Sequence, residues 1–225
     1  PLPPDNEGPL RNFSRSARIS PSDPKFYRDC FILAFPTPPD EEILPVPAAS
    51  TGRGNIDPGA LIDDDLNSFQ VVRSEKGKKI IWIEYAFEKP VTVRALTLAN
   101  RAGIPVGRLT AGNDGVSYKT IAVLPGAQLY RSGKVMTVAF PEVTASRFRL
   151  EFTGAPMRPA EVMSETVLPV DSVYTFNEIR LHSAARIHRW EDKAGFYHLF
   201  NYDPVRSPSL SPSSAINPEK IIDLT

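Results

Sequence analysis

The chain has 225 residues, with 26 lysines and arginines against 26 aspartates and glutamates, so its formal net charge is zero. That balance, with no basic run, excludes the electrostatic footprint of a nucleic-acid binder, and no apolar run is long enough to span a membrane as a helix. Hydrophobic residues at 41% allow a packed core, while 23 prolines, about twice ordinary usage, argue for ordered loops between strands rather than long helices.

The chain opens on PLPPDNEG, without an initiator methionine or a signal peptide, and closes on the strand-like IIDLT. Both ends read as an excised piece of a longer protein. Residues 1–24 are polar and proline-rich and predict an extended arm. FYRDCFILAFP, residues 26–36, predicts the first strand. Its Cys30 is the only cysteine, so no disulfide forms within the chain, and the apolar flanks make it a small core residue rather than a nucleophile. PTPPDEEILPVPAAS then predicts loop, because Pro45 and Pro47 cannot sit in a central strand. IDPGALIDDDLN, residues 56–67, predicts a turn running into an acidic cluster.

The strongest signal is KIIWIEYAFEKPVTVRALTLAN, residues 79–100, two strands meeting at Glu88-Lys89-Pro90. The first alternates Ile81, Ile83, Tyr85 and Phe87 against Trp82, Glu84 and Ala86, the period of a half-buried strand. The second carries Val91, Val93 and Ala95 on one face and Leu96 and Leu98 on the other. That requires burial on both sides or a bulge. A strand over 107–111 leads to Asn113-Asp114-Gly115, a tight-turn signal in which glycine takes the positive φ. Strands follow over 118–124, 134–140, 146–153 and 174–182, the last with a one-residue slip in its alternation. About eight short strands spaced by turns predict an antiparallel sandwich. A single helix is expected over 184–199, followed by a Ser/Pro-rich linker.

Few residues point to chemistry. Asp63, Asp65 and Asn67 have the D-x-D-x-N spacing that gathers oxygens around a hard cation, yet Ser68 and Ser74 stand where an EF-hand needs glycine and glutamate. The competing reading is a solvated turn whose aspartates cap backbone N–H groups. His182, His188 and His198 lack zinc spacing. Glu41, Glu42, Glu84, Glu161, Glu165, Glu178 and Glu191 are candidate carboxylates for glycoside hydrolysis, but nothing pairs any two of them. Nucleophile elbows, phosphate loops and dinucleotide fingerprints are absent. Trp82, Tyr118, Tyr130 and Trp190 could each stack on a sugar ring, although core burial competes, most of all for Trp82.

The order of these segments resembles the galactose-binding-like, or discoidin-like, jelly roll. The matching stretches are LIDDDLNS, WIEYAFEKPVTVRALTLAN, LTAGNDGVSYKTIAVLP, ASRFRLEFT and FNEIRLHS, spread over residues 60–182. That resemblance implies a structural calcium at the acidic loop, with ligands among Asp63, Asp65, Asn67, Ser68 and Glu178. The usual glycine of the loop is replaced by Asp64, which puts the loop geometry in question. The flanks FYRDCFILAFPTP, RWEDKAGF and INPEKIIDLT resemble the non-catalytic portion of the α-L-rhamnosidases of glycoside hydrolase family 106. This implies a secreted, periplasmic or cell-surface multidomain enzyme acting on plant polysaccharides, of which this chain is a non-catalytic accessory part.

The sequence therefore predicts an all-β antiparallel jelly-roll sandwich over 49–184, an arm plus one strand over 1–48, and a helix and linker over 185–225. Its partners are expected to be the other domains of the parent enzyme and an oligo- or polysaccharide, with Tyr118, Tyr130 and Trp190 as the sugar contacts and calcium as the one cofactor. A purely structural module that binds no sugar is the alternative.

Overall fold

The computed structural model describes residues 32–74, 80–100, 103–125, 135–154, 173–193, 206–209 and 211–224. Among the described residues nine strands run in chain order. They are β1 (Leu33–Ala34), β2 (Ala48–Thr51), β3 (Gln70–Arg73), β4 (Ile81–Asn100), β5 (Val106–Gly112), β6 (Lys119–Pro125), β7 (Val135–Gly154), β8 (Val173–His182) and β9 (Ile222–Asp223). All the pairings are antiparallel. β1 pairs with β9, and the other seven form one hydrogen-bonded sheet in the order β3-β8-β4-β7-β5-β6, with β2 also on β4.

That one sheet folds into two layers because β4 and β7 are both long and both bend. Their ladder breaks between Ala86 and Val91, and again between Val93 and Ala95. Phe87, Glu88, Lys89 and Pro90 stand opposite the single residue Ser146 at the first break, and Phe140, Pro141 and Glu142 opposite Arg94 at the second. Each bend carries a proline, which has no N–H to lose to a broken ladder. The first half of β4 pairs with β2 and the second half of β7, whose other neighbour is β5. The second half of β4 pairs with β8 and the first half of β7. The bulge at Arg94 also accounts for the face switch of the sequence. Inward positions pass from Val93 to Leu96 and Leu98, all fully buried. No neighbouring domain is needed to cover them.

The core lies between the layers. Ile81, Ile83, Tyr85, Phe148, Leu150 and Phe152 of the first meet Tyr174, Phe176 and Ile179 of the second. The Phe152 ring stacks on Phe176 with centroids 4.9 Å apart, and the Tyr85 hydroxyl donates to the Ile179 carbonyl at 3.0 Å. The slip in β8 is a bulge at Asn177, since Ala99 pairs with Glu178 while Asn100 pairs with Phe176.

Three expectations change. β2 falls in a stretch expected to be loop, and β3 lies between the acidic cluster and the long strand pair, where no strand is expected. The helix expected over 184–199 is helical only at α1 (Trp190–Lys193) within its described residues. The part before α1 runs instead along the open edge of β7, with Arg189 in the left-handed region at φ 49°. Third, the described part of the strand expected over 26–36 is extended only at Leu33–Ala34. The remainder of that strand, Cys30, Tyr130 and His198 lie outside the described residues.

The segment before α1 and α1 itself close the β7 edge. Arg189 N donates to Thr137 O at 2.7 Å, Ala139 N donates to His188 Nδ1, and Thr137 N donates to Glu191 Oε2, the last two at 3.1 Å. An open edge is a template for pairing with another chain, and these side chains occupy it. Burial pushes the Glu191 carboxyl up, while the Thr137 hydroxyl and amide favour its charged form. Glu191→Ala removes both acceptors. It should cost about 2 kcal/mol in urea unfolding and promote aggregation from the folded state, read by light scattering. Glu191→Gln, which keeps one acceptor, should cost less.

Candidate functional site

The acidic loop is set by its own hydrogen bonds. Asp65 N donates to Asp63 Oδ1 at 2.9 Å, and Asn67 N donates to Asp65 Oδ1 at 2.8 Å. Asp64 adopts φ 60°, the left-handed geometry that glycine supplies in the resembled loop. Aspartate tolerates this region better than most residues, so the replacement preserves the turn. The loop is fastened to β8 by the bulged Asn177, whose Nδ2 donates to Leu66 O at 2.9 Å and Ser68 O at 2.8 Å.

Within this loop, oxygens crowd around one hydroxyl. Ser68 Oγ lies 2.9 Å from Asp63 Oδ2, 3.0 Å from Asp65 O and 3.4 Å from Ala60 O. A hydroxyl has one proton and can satisfy only one of three acceptors. Glu178 of β8, near enough to Asp63 and Asp64 to feel their charge, is 4% exposed, with neither carboxylate oxygen accepting a hydrogen bond. Arg180 approaches it, Nε to Oε1, at 3.0 Å without hydrogen-bond alignment, and pairs with Asp64 at 3.0 Å and with Ile62 O. Burial pushes the Glu178 carboxyl up from 4.5 to about 7; Arg180 opposes the shift, and Asp64 and Asp63 add to it.

This donor set fits a hard cation. Asp63 and Ser68 converge with two carbonyls, and the Glu178 carboxylate, 3.0 Å from Arg180 Nε, accepts no hydrogen bond. Asp65 Oδ1 accepts from Asn67 N at 2.8 Å and from Asn67 Nδ2 at 2.9 Å, which folds the Asp65 and Asn67 side chains onto the same turn. Among the described residues no group of three His, Cys, Asp or Glu side chains forms a metal centre. A cation here would rest largely on neutral oxygens, as calcium allows.

The aromatic candidates separate. Trp82 and Glu84 face away from the core on β4, opposite Glu151 and Arg149 of β7. Glu84 is 5% exposed, yet Arg147 Nη1 donates to Oε1 at 2.7 Å, Arg149 Nε to Oε2 at 2.9 Å, and the Tyr118 hydroxyl to Oε2 at 2.5 Å. The Arg149 guanidinium lies 4.7 Å from the Trp82 ring centre and 4.6 Å from that of Tyr118. Burial opposes ionisation of Glu84, but Tyr118, Arg149 and Arg147 outweigh it and hold its carboxyl below the usual range. Trp82 is therefore only partly buried, a cation–π partner rather than a core ring, and Tyr118 is locked to the framework. Tyr118 over Arg149 was the contact hardest to foresee. The cross-strand signal is Arg147 and Arg149 alternating opposite Ala86 and Glu84.

Trp190 lies across the molecule, 42% exposed, with Nε1 donating to Thr137 Oγ1 at 3.1 Å. That hydroxyl donates to Glu191 Oε1 at 2.7 Å and meets Thr97 at 3.2 Å, and Thr97 meets His182 Nε2 at 2.8 Å. Burial, with Arg186 and Arg180 nearby, lowers His182 to about 4, so it is neutral here. A cavity of about 300 Å³ opens beside His182. Its walls include Leu44, Pro45, Tyr85 and Phe87, and Arg180 and Arg186 supply the cationic side.

Comparison with known proteins gives one family. The Glyco_hydro_106 model, described as alpha-L-rhamnosidase, matches residues 1–225. The rhamnosidase from Novosphingobium sp. PP1Y is similar at TM-score 0.62 and 29% identity, over 86% of this chain and 16% of that one. The chain thus spans about a sixth of that enzyme's length. Chitosan-binding module 1 of a chitosanase/glucanase from Paenibacillus sp. IK-5 gives TM-score 0.44 and 14% identity, over 60% of this chain and 94% of that one. A pectin binding carbohydrate binding module gives TM-score 0.44 and 17% identity, over 64% and 94% respectively. No curated protein matches the chain.

Two outcomes test this geometry. Glu178 holds a proton more tightly folded than unfolded, so its contribution to stability is complete below pH 4.5 and lost as pH rises to about 7. With EDTA present, Glu178→Gln should match the native chain near pH 4 and exceed it above pH 7 by on the order of 2–3 kcal/mol, read by denaturant titration at each pH. Glu84→Ala leaves two arginines together without their anion and should cost about 3 kcal/mol. Trp82→Ala should cost only about 1 kcal/mol, and a loss as large as that of Glu84→Ala would return Trp82 to the core.

Proposed function

The chain belongs to the glycoside hydrolase 106 family of α-L-rhamnosidases, and from that premise we propose that it is a non-catalytic accessory β-sandwich of a multidomain rhamnosidase acting on plant polysaccharides. One observation carries the reading. Each buried carboxylate among the described residues is tied to the module's own framework: Glu84 to Arg147 and Arg149, Asp192 to Arg189, Glu191 to the β7 edge, and Glu178 beside Arg180. General acid–base hydrolysis needs two carboxyls facing each other across a substrate; Glu84 and Glu178 lie on different strands, and the adjacent Glu191 and Asp192 are each bonded to the framework.

The engagement of Tyr118 with Glu84 and of Trp190 with Thr137 favours the second reading, a structural module that binds no sugar. The cavity beside His182 favours a saccharide contact instead. We also propose calcium at the acidic loop, held by Asp63, Ser68 and the carbonyls of Ala60 and Asp65, with Glu178 closing the site. Its role is to neutralise the crowded oxygens. The proposed setting is the secreted, periplasmic or cell-surface space where polysaccharide is met.

The 225-residue chain should not hydrolyse aryl α-L-rhamnosides, and turnover that persists through repurification would sink the accessory reading. Titration with plant cell-wall oligosaccharides separates the two readings: heat of binding that disappears in Tyr118→Ala selects the sugar-binding one. Millimolar calcium should raise Tm more at pH 8 than at pH 5, because a protonated Glu178 is a poorer ligand. Equal melting curves in calcium and EDTA at pH 8 would remove calcium from the proposal.

A further inference from the structure

Among the described residues, the β1–β9 ribbon leaves a run of large apolar side chains in water. Leu33 pairs with Asp223 and Ala34 with Ile222, and Leu224 N donates to Ile32 O at 2.7 Å. Six large side chains on it are strongly exposed: Ile32 46%, Leu33 51%, Phe35 58%, Ile221 40%, Ile222 58% and Leu224 58%. Residues directly opposite each other share a face, so Leu33 and Ile222, one position apart in register, lie on opposite faces. Both faces of the ribbon are thus apolar. Two strands alone are marginal in water, and a contiguous apolar patch of this kind marks an interface.

Resting on the accessory reading, we propose that this ribbon docks into an apolar groove formed by the rest of the parent polypeptide. Three observations favour that occupant. The matched rhamnosidase has most of its length outside the region this chain covers, which is 16% of it. The chain flanking the ribbon is tied to the sandwich, since Ser214 Oγ donates to Asp40 Oδ2 at 2.6 Å and Arg94 lies 3.5 Å from the same oxygen. A second copy related by a two-fold axis would cover one face and leave the other wet, whereas a groove covers both.

The test compares hydrogen exchange in the full-length parent enzyme and in the 225-residue chain. Amides of 32–35 and 221–224 should exchange at least tenfold more slowly in the parent; equal rates overturn the proposal. In the parent, Leu33→Asp with Ile222→Asp should release this module to melt as a separate transition and open the junction to protease. The same pair should leave the Tm of the 225-residue chain unchanged, because the ribbon lies outside the core. A single unsplit transition in the doubly substituted parent overturns the proposal. So does a 225-residue dimer that the double substitution dissociates, which gives the face to a second copy. None of these readouts depends on aryl rhamnoside turnover, which decides the accessory reading separately.

Discussion

The fold depends on two strands belonging to both layers at once. β4 and β7 run side by side through each layer, and both bend where their ladder breaks. Neither layer can form fully without the other, because half of each long strand would lose its partners. The bends also set what faces where. Tyr85 and Phe87 turn into the core, the Arg94 bulge moves Leu96 and Leu98 inward, and Arg94 itself turns out to Glu142 and Asp40. The strap of residues 40–47 is fastened around that corner, partly through Glu42, whose N–H and carbonyl both bond the Ser183 hydroxyl.

Buried carboxylates mark how the surface was completed. Glu84 is over-compensated, with two guanidiniums and a phenol for one charge. Glu191 uses its two oxygens to finish a strand edge. Glu178 is the one left short, raised toward neutrality with no hydrogen bond to its oxygens. Removing a charge from water without partners is costly, and the other two show that this sequence supplies partners elsewhere. The shortfall at Glu178 is local, since the other buried carboxylates among the described residues accept hydrogen bonds from their neighbours.

Period-two alternation made the long strands legible, since Ile81 to Phe87 and Phe148 to Phe152 each bury one face. The ambiguous stretches were the informative ones. The face switch at Arg94 and the slip in YTFNEIRLH are both bulges, and the second exists to bring Asn177 onto the acidic loop. β2 and β3 were invisible because each is four residues long and borrows its conformation from β4 or β8. The helix before Trp190 failed because helical spacing says nothing of an open strand edge that offers better hydrogen bonds. Tyr118 and Trp190 were legible as aromatics near polar groups. Which group each would serve depends on distant strands, which no local pattern encodes.

The β1–β9 ribbon has a mechanical consequence. Its antiparallel register sets Ile32 beside Leu224 at one end of the ribbon. Tension drawn between Ile32 and Leu224 acts across the ribbon's hydrogen bonds and opens them one at a time, starting at Leu224 N–Ile32 O. The load reaches the sandwich only after the ribbon has parted. A short ribbon loaded in this unzipping direction works as a fuse: it yields at low force and spares the shared strands β4 and β7, which hold the two layers together.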